Sequence, residues 1–198
     1  APSDANTLAS GSSLNRPRAT FVNAEESPEE HYVHAAKVAA AIIKEELSDP
    51  SYNFDGYGTR DGQVLPLLAP FNDTAKPTTA ELKLMLNSGV TPISYTDGGQ
   101  PFIVRAVTTR CKSGSNFDYR ARDRVVVAVA DRFADDMAAR YAAAPWRKVT
   151  ADPVGAAREP APEFATPRRV KAMIEQLVSD YVDFGWLDPA KKQTTLDG

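Results

Sequence analysis

Cysteine and histidine are nearly absent from this sequence of 198 residues, which contains one cysteine, Cys111, and two histidines. A lone cysteine excludes a disulfide within the chain and a zinc site built from cysteine pairs. It is typical of proteins that stay reduced inside the cell. Because histidine is the commonest general base in enzymes, two histidines leave few ways to build a catalytic centre.

The sequence also lacks a strong charge excess, a long apolar run and an initiator methionine. Its net charge of −3 argues against a general nucleic-acid binder, and its apolar runs are far shorter than a membrane-spanning helix requires. Residues 1–15 have neither the basic nor the apolar region of a signal peptide. We therefore expect no nucleic acid and no membrane among the partners, and we expect the chain to be a fragment or a processed product.

What the sequence does contain is a series of amphipathic helices, joined by connections that hold many of its 15 prolines and 11 glycines. Ser27 with Glu30, and Thr78 with Glu81, form two capping boxes that start helices. The predicted helices cover residues 28–47, 79–88, 123–143 and 167–184. The apolar side of the first helix is expected at Tyr32, Ala36, Ala39, Ile43 and Leu47. The apolar stripe of the last helix is expected at Val170, Met173, Ile174, Leu177, Val178 and Tyr181.

Residues 91–109 carry the pattern of a β-hairpin. Asp97-Gly98-Gly99 provides residues that tolerate positive φ in a turn, and residues 103–109 have the β-branched composition of a strand. The order of elements predicts an α+β domain in which a small, mainly antiparallel sheet is packed by the helices. Residues 1–19 are small and polar, and we expect them to form a flexible N-terminal segment.

Few residues are candidates for chemistry, and each has a structural interpretation. His31 and His34 lie three residues apart on the first helix and can reach one metal, but a catalytic zinc site needs a third protein ligand. We interpret them as surface histidines near the helix start. Cys111 lies between two basic residues, which lower a thiol pKa, but no positioned base accompanies it, and we interpret it as structural. The sequence thus predicts no catalytic residue, no bound metal and no cofactor.

Four basic residues are candidates for binding a partner. Arg168, Arg169 and Lys171 occupy the first turn of the last helix, where the helix macrodipole favours anions instead. They are either screened by nearby glutamates or directed at an acidic partner surface. The glutamates in question are Glu159, Glu163 and Glu175. Arg105 lies inside the second predicted strand, and is either a half-exposed strand residue or one half of a salt bridge between subunits.

A series of short motifs in this region resembles a known family. Glu81 with residues 84–86 matches a short E-x-x-L-L helix, residues 89–91 match a G-[IV]-[ST] step, and residues 104–109 match a strand reading V-R-[AI]-[VI]-T-T. In this order, the motifs resemble the tail sheath proteins of contractile bacteriophages, especially the Mu-like group. The alanine-rich helix before them and the two helices after them also look like helices of the family, so the resemblance covers roughly residues 20–190.

The resemblance implies a structural role rather than an enzymatic one. Sheath subunits form stacked hexameric rings around a tail tube, and contraction of the rings drives the tube through the host envelope without nucleotide hydrolysis. The implied partners are copies of the chain itself, the tail tube protein, and the baseplate and tail terminator proteins. The implied locations are the virion and, during assembly, the host cytoplasm.

The resemblance also implies how the chain is divided. Residues 20–188 would be the conserved sheath domain, which lies nearest the tube in this family. Residues 189–198 would be a polar tail, cut short before the terminal β-strand arm that family members lend to neighbouring subunits. The basic residues of the last helix would suit an acidic tube, and Arg105 would suit a neighbouring subunit.

Three alternatives to a phage sheath stay open. A tube, terminator or baseplate protein would share the particle, although such proteins usually centre on larger β-barrels or sandwiches. The sheath of a related contractile injection system would share the mechanism of contraction. A small hydrolase using Cys111 or the histidine pair belongs to a different class, and an activity screen with Cys111→Ala would identify it.

Overall fold

The computed structural model describes residues 5–24, 27–54, 64–69, 76–153 and 160–189; for residues 5–7 it describes the backbone alone. The chain divides into two compact units, residues 1–128 and residues 129–198. Residues 1–4 of the predicted N-terminal segment and residues 190–198 of the predicted polar tail lie outside the described residues.

Over the described residues the chain forms five helices and eight short strands. The helices are α1 (Ala5–Leu14), α2 (His31–Ser48), α3 (Thr79–Asn87), α4 (Arg124–Ala143) and α5 (Pro167–Asp183). The strands are β1 (Phe21–Val22), β2 (Val90–Thr91), β3 (Ile93–Tyr95), β4 (Pro101–Ile103), β5 (Lys112–Ser113), β6 (Asn116–Phe117), β7 (Lys148–Val149) and β8 (Phe164–Ala165). The predicted α+β class is confirmed.

The strands form four two-stranded sheets in the described part of the chain, rather than the one small sheet that was predicted. The pairs β3–β4 and β5–β6 are antiparallel, whereas β1–β2 and β7–β8 are parallel. The predicted hairpin is formed by β3 and β4, with Ile93 opposite Ile103. Gly99 adopts a φ of +75° in its turn, a conformation that glycine tolerates best.

The second strand of this hairpin ends at Ile103, and not at Thr109 as predicted. Beyond this point the backbone bonds to several separate segments instead of one partner strand. The Thr91 hydroxyl donates to the carbonyl of Val107 and accepts from its N–H, both at 3.0 Å. The Thr109 N–H donates to the carbonyl of Ala19 at 2.8 Å, and the Thr109 hydroxyl bonds the N–H of Arg16 at 2.9 Å and its carbonyl at 3.0 Å. The backbone of the run is therefore bonded without a continuous ladder.

Helix α2 buries a different side from the one predicted. His34, Val38 and Ile42 are its buried residues, whereas Tyr32 is 75% exposed and Leu47 is 72% exposed. The helix is so rich in alanine that small apolar residues occur on every side of it, and the periodicity alone does not select the packed side. The core of the first unit contacts the side that carries Val38 and Ile42.

The N-terminal segment predicted to be flexible contains helix α1, which packs near β2. A Cβ atom added at Gly11 would lie 2.6 Å from the Val90 side chain, so only glycine permits this approach. Directly after the helix, the Asn15 side chain accepts from the N–H of Cys111 at 3.2 Å and from that of Lys112 at 3.1 Å. These long-range contacts connect the end of the segment to the first unit, and its flexibility stays a prediction.

Local helix signals are confirmed at α3. The Thr78 hydroxyl accepts from the Glu81 N–H at 3.3 Å, and Glu81 accepts from the Thr78 N–H at 2.8 Å. This is the predicted capping box.

The main apolar core of the first unit combines residues from several segments of the chain. Its members are Val38, Ile42, Phe54, Leu65, Leu68, Ile93, Ile103 and Ala106.

In the second unit, the later part of α4 packs against α5. The Tyr181 ring meets the Phe133 ring edge-on at 5.4 Å and the Trp186 ring at 5.0 Å. The Tyr181 hydroxyl donates to Asp136 at 2.8 Å. Leu177, Val178 and Tyr181 are buried, as the sequence pattern of the last helix predicts. Tyr181 is thus the centre of the packing between the two helices.

Candidate interaction surfaces

The predicted basic cluster lies at the start of α5, where the sequence places a helix cap. The hydroxyl of Thr166 caps the helix by accepting from the Arg169 N–H at 3.2 Å. Asp152 accepts from the Arg168 N–H at 3.1 and 3.2 Å through its two carboxylate oxygens. This aspartate provides the anion that a helix N-terminus favours, although the first turn itself is basic.

Arg169 has an internal role at this cluster. Its guanidinium donates to three backbone carbonyls of the preceding loop, those of Pro160 at 2.7 Å, Ala161 at 2.8 Å and Phe164 at 2.8 Å. A guanidinium that satisfies three carbonyls orders the loop. Arg169 therefore fixes the chain before α5, and its donors are directed into the protein.

Arg168 and Lys171 present exposed side chains on the same turn. The Lys171 ammonium lies 3.9 Å from a carboxylate oxygen of Glu175, one helical turn later. An exposed pair at this spacing contributes only about 0.3–0.5 kcal/mol, so Lys171 remains able to contact a partner. Of the other two predicted screening residues, Glu163 offers its backbone carbonyl to Arg147 at 2.8 Å, and Glu159 lies outside the described residues.

Lys171 also lies at a groove in the second unit. The groove has a volume of about 550 Å³ and a mainly apolar lining. Its lining residues are Tyr141, Val149, Ala165, Thr166, Pro167, Val170, Lys171 and Ile174. One wall is the short β7–β8 pair, in which both residues of β7 are exposed. Among the described residues β7 pairs only with β8.

Arg105 lies after β4 and not inside a strand, which corrects its predicted position. Its guanidinium forms two 2.8 Å hydrogen bonds with the two carboxylate oxygens of Asp123. Such a bidentate pair is among the stronger charge-assisted contacts in proteins. The salt bridge expected between subunits is therefore occupied by a pair within the chain.

The two histidines differ in their surroundings. His31 is exposed, whereas His34 is buried, so the interpretation of both as surface residues is wrong for His34. The His34 Nδ1 atom lies 3.1 Å from the Ser27 hydroxyl. Burial lowers the pKa of the His34 imidazole, while the nearby carboxylate of Glu29 acts in the opposite direction. The histidine is a packed part of the helix start.

Cys111 is buried in the first unit, and its backbone N–H is bound by Asn15. A buried thiol fits the structural interpretation of this residue. Within the described ranges, no group of three or more histidine, cysteine, aspartate or glutamate side chains is placed to hold a metal ion. None of the helices described is long and apolar enough to cross a membrane.

The β5–β6 hairpin carries an exposed aromatic pair, Phe117 and Tyr119, that was not predicted from the sequence. The two rings are stacked, with centroids 6.1 Å apart and 12° between their planes. Asp118, between them in sequence, is buried and bound by the side chain of Arg120 at 3.0 and 3.1 Å. Only Phe117 of these three residues lies in β6, so strand alternation does not predict the arrangement.

No family model and no curated protein matches this sequence.

Proposed function

We propose that this chain is a structural subunit of a contractile bacteriophage tail sheath. Its copies would assemble as hexameric rings around a tail tube and contact the baseplate and tail terminator proteins. It would belong to the virion after assembly in the host cytoplasm. The proposal rests on the sequence resemblance and on the order α2, α3, hairpin, α4 and α5, which agrees with the order that the resemblance implies.

The observation that carries the proposal is the bonding of the threonines inside the resembling stretch. Thr91, Thr108 and Thr109 are all buried. Their hydroxyls bind backbone groups from three different segments of the chain. The stretch that resembles sheath proteins therefore joins several segments of the chain. A motif of this kind supports a shared fold as the basis of the resemblance.

Arg168 and Lys171 would provide the positive charge of a tube-facing surface, since both side chains are exposed. Arg169 would support that surface by ordering the loop before α5. Strand β7, both residues of which are exposed, would accept an extended arm of a neighbouring subunit as an added strand. Arg105 is left out of the proposed surface because Asp123 already binds its guanidinium.

Electron microscopy tests the proposal. The protein encoded by the complete gene is expressed alone and examined by negative stain, beside the 198-residue chain. Tubes or ring-shaped particles from the complete protein are expected. A complete protein that remains monomeric at every salt concentration would contradict the proposal and favour the hydrolase or baseplate alternatives.

Charge reversal then tests the tube-facing surface. Arg168→Glu combined with Lys171→Glu should weaken co-sedimentation with polymerised tail tube protein, and the loss should diminish at high salt. Lys44→Glu combined with Lys83→Glu is the matched control, because both lysines are exposed in the first unit. Equal binding by the two double variants would remove these residues from the surface.

The same contacts would serve the sheath of a related contractile injection system. Particles purified from the native source distinguish the two machines, because a phage tail is joined to a capsid and an injection system is not.

A further inference from the structure

The β5–β6 hairpin presents an exposed aromatic surface that the proposed function does not use. Phe117 is 57% exposed and Tyr119 is 52% exposed, yet both rings are fixed by contacts. The rings stack on each other, and the guanidinium carbon of Arg122 lies 4.6 Å from the centroid of the Tyr119 ring. Large side chains held in place on the surface lose little entropy on binding a partner.

Asp118 stabilises this hairpin from below. Its carboxylate accepts from the Arg120 guanidinium, from the Arg120 N–H at 3.1 Å, and from Arg110 at 3.5 Å. The bonds from Arg120 are the main cause that lowers the pKa of the Asp118 carboxyl to about 2. The carboxylate is charged at neutral pH and accepts all of these hydrogen bonds, which connect the residues on both sides of it.

The hairpin carries positive charge in a chain that is negative overall. Residues 110–122 contain four basic residues and one acidic residue, whereas the net charge of the chain is −3. Residues 172–189 show the opposite composition, with four acidic residues and no lysine or arginine. Many of these charges are paired within the chain: Arg140 binds Asp180, Lys171 lies 3.9 Å from Glu175, and Arg120 binds Asp118. The exposed Asp183 and the partly exposed Lys112 give two copies of the chain one pair of opposite charges that can meet.

The acidic segment also contains an exposed aromatic residue, directly after the end of α5. Asp183 is the last residue of α5, where the helix macrodipole favours a cation and not a carboxylate. Phe184 follows it and is 63% exposed. Its ring lies 5.1 Å from that of Trp186, which in turn packs on Tyr181. This helix end therefore pairs an exposed aromatic ring with a negative charge that a partner cation would stabilise.

We infer that the β5–β6 hairpin of one copy docks against the α5 end of a second copy, bringing Phe117, Tyr119 and Lys112 to Asp183 and Phe184. Aromatic and arginine residues are enriched at the centres of protein interfaces, as they are on the hairpin. The contact joins two different surfaces, so it can repeat from copy to copy. The inference rests on the proposed function, because the contact would be one of those between neighbouring sheath subunits.

A protein partner fits the hairpin better than single-stranded nucleic acid does. Base-binding surfaces combine stacking rings with cations that are available to phosphates. Here the Arg120 guanidinium is bound to Asp118, and Arg122 contacts Tyr119 and lies 3.7 Å from Asp123. Few cations remain for a phosphate backbone, whereas one acidic side chain and one ring match the surface.

A charge exchange between two variants tests the contact. Self-association of the 198-residue chain is measured by sedimentation velocity up to about 1 mM, a range that detects weak contacts. Lys112→Glu alone and Asp183→Lys alone should each weaken association by about three- to tenfold, because each places like charges together. An equal mixture of the two variants should recover the original association, because each variant then meets an opposite charge. Recovery also shows that both variants are folded.

Removing the rings gives the larger effect. Phe117→Ser combined with Tyr119→Ser should weaken association by roughly a hundredfold, as expected for central aromatic residues. Tyr32→Ser and Lys83→Glu are controls at exposed positions of the first unit, and both should associate as the unchanged chain does. A chain that stays monomeric at every concentration, or a ring-free variant that associates normally, would overturn the inference.

Three further outcomes separate the possibilities. Binding of a single-stranded oligonucleotide that is lost with the rings, while self-association is unchanged, would assign the hairpin to nucleic acid and overturn the inference. Tubes of the complete protein that form normally with the ring-free variant would reject this contact and leave the sheath proposal standing. If self-association recovers in the mixture of the two variants but the complete protein forms no tubes, the contact between copies would stand and the sheath proposal would be rejected.

Discussion

Helices α2 and α5 were both predicted from apolar periodicity, but only α5 buries the predicted side. In α5, charged and polar residues occupy the side opposite Leu177, Val178 and Tyr181, so one side alone is suitable for the core. In α2, alanines make several sides equally suitable, and the core contacts Val38 and Ile42 instead of Tyr32 and Leu47. Apolar periodicity identifies the side of a helix that packs on the core only when the other sides of the helix are too polar to be buried.

The largest expected effect is at the centre of the α4–α5 contact. Tyr181→Ala should lower the free energy of unfolding of the second unit by about 3–5 kcal/mol, because a buried ring leaves a cavity. Phe184→Ala, three residues later and exposed, should change it by less than about 0.5 kcal/mol. Both tryptophans, at positions 146 and 186, lie in this unit, so fluorescence during urea unfolding reports it. Similar losses for both variants would contradict the packing described for α5.

Adjacent isoleucines test the side that α2 buries. Ile42→Ala should destabilise the first unit by about 2–4 kcal/mol, since Ile42 belongs to the core cluster. Ile43→Ala, on the exposed side, should cost under about 1 kcal/mol. Hydrogen exchange of the α2 amides measures both losses directly. The reverse order of the two losses would restore the side that the sequence pattern predicted.

The two histidines of α2 should differ in their effect on pH dependence. Burial lowers the pKa of His34 in the folded chain. At pH values near and below about 6.5, the pKa of histidine in the unfolded chain, the folded chain therefore binds fewer protons than the unfolded chain does. Stability is then full above that pH and falls as the pH drops towards the folded pKa, by at most about 1.4 kcal/mol per pH unit. Glu29, His31 and Lys37 are the charged groups that modify the shift.

Urea unfolding between pH 7.5 and pH 5 measures this dependence. His34→Gln should flatten the profile even though it lowers stability, and His31→Gln should change the profile less, since it removes only one of the smaller influences on the His34 pKa. A profile that is equally steep in all three chains would place the proton uptake elsewhere.

The smallest expected effect concerns the helix caps. Thr166 caps α5 with its hydroxyl, whereas Glu30 at the start of α2 makes no capping hydrogen bond with its side chain. Thr166→Ala should therefore cost about 1 kcal/mol and Glu30→Ala a few tenths. The helix signal in circular dichroism, followed through thermal unfolding, compares the two losses. A larger loss at Glu30 would show that α2 depends on its first turn more than on its core side.

Predictions from local signals succeeded in part. The predicted capping box of Ser27 and Glu30 is wrong, because α2 begins at His31 and its N-cap residue Glu30 makes no capping hydrogen bond with its side chain. The capping box of Thr78 and Glu81 spans three residues, and the β3–β4 turn around Gly99 is specified by its own residues. The order of helices and the α+β class follow from such signals. Residues 104–109 failed as a strand because their partners, among them Arg16, are distant in sequence. No local pattern reveals that the backbone of a run will bond to several separate segments instead of one partner strand.

The candidate surface was predictable in part. The basic residues of α5 were found because they oppose the helix macrodipole, but their division into internal and exposed members depends on the loop that Arg169 binds. The exposed rings of the β5–β6 hairpin were missed, since each of its strands is only two residues long and shows no alternating pattern. Exposure is a property of the folded surface, and composition alone does not report it.

The bonding at Thr109 has a mechanical consequence. Its hydroxyl holds both backbone groups of Arg16, and its N–H donates to the carbonyl of Ala19 at 2.8 Å. Asn15, one residue before Arg16, binds the backbone of Cys111 and Lys112. Tension applied along the N-terminal segment would therefore be shared between two neighbouring anchors, Asn15 and Thr109, before it reached the rest of the first unit.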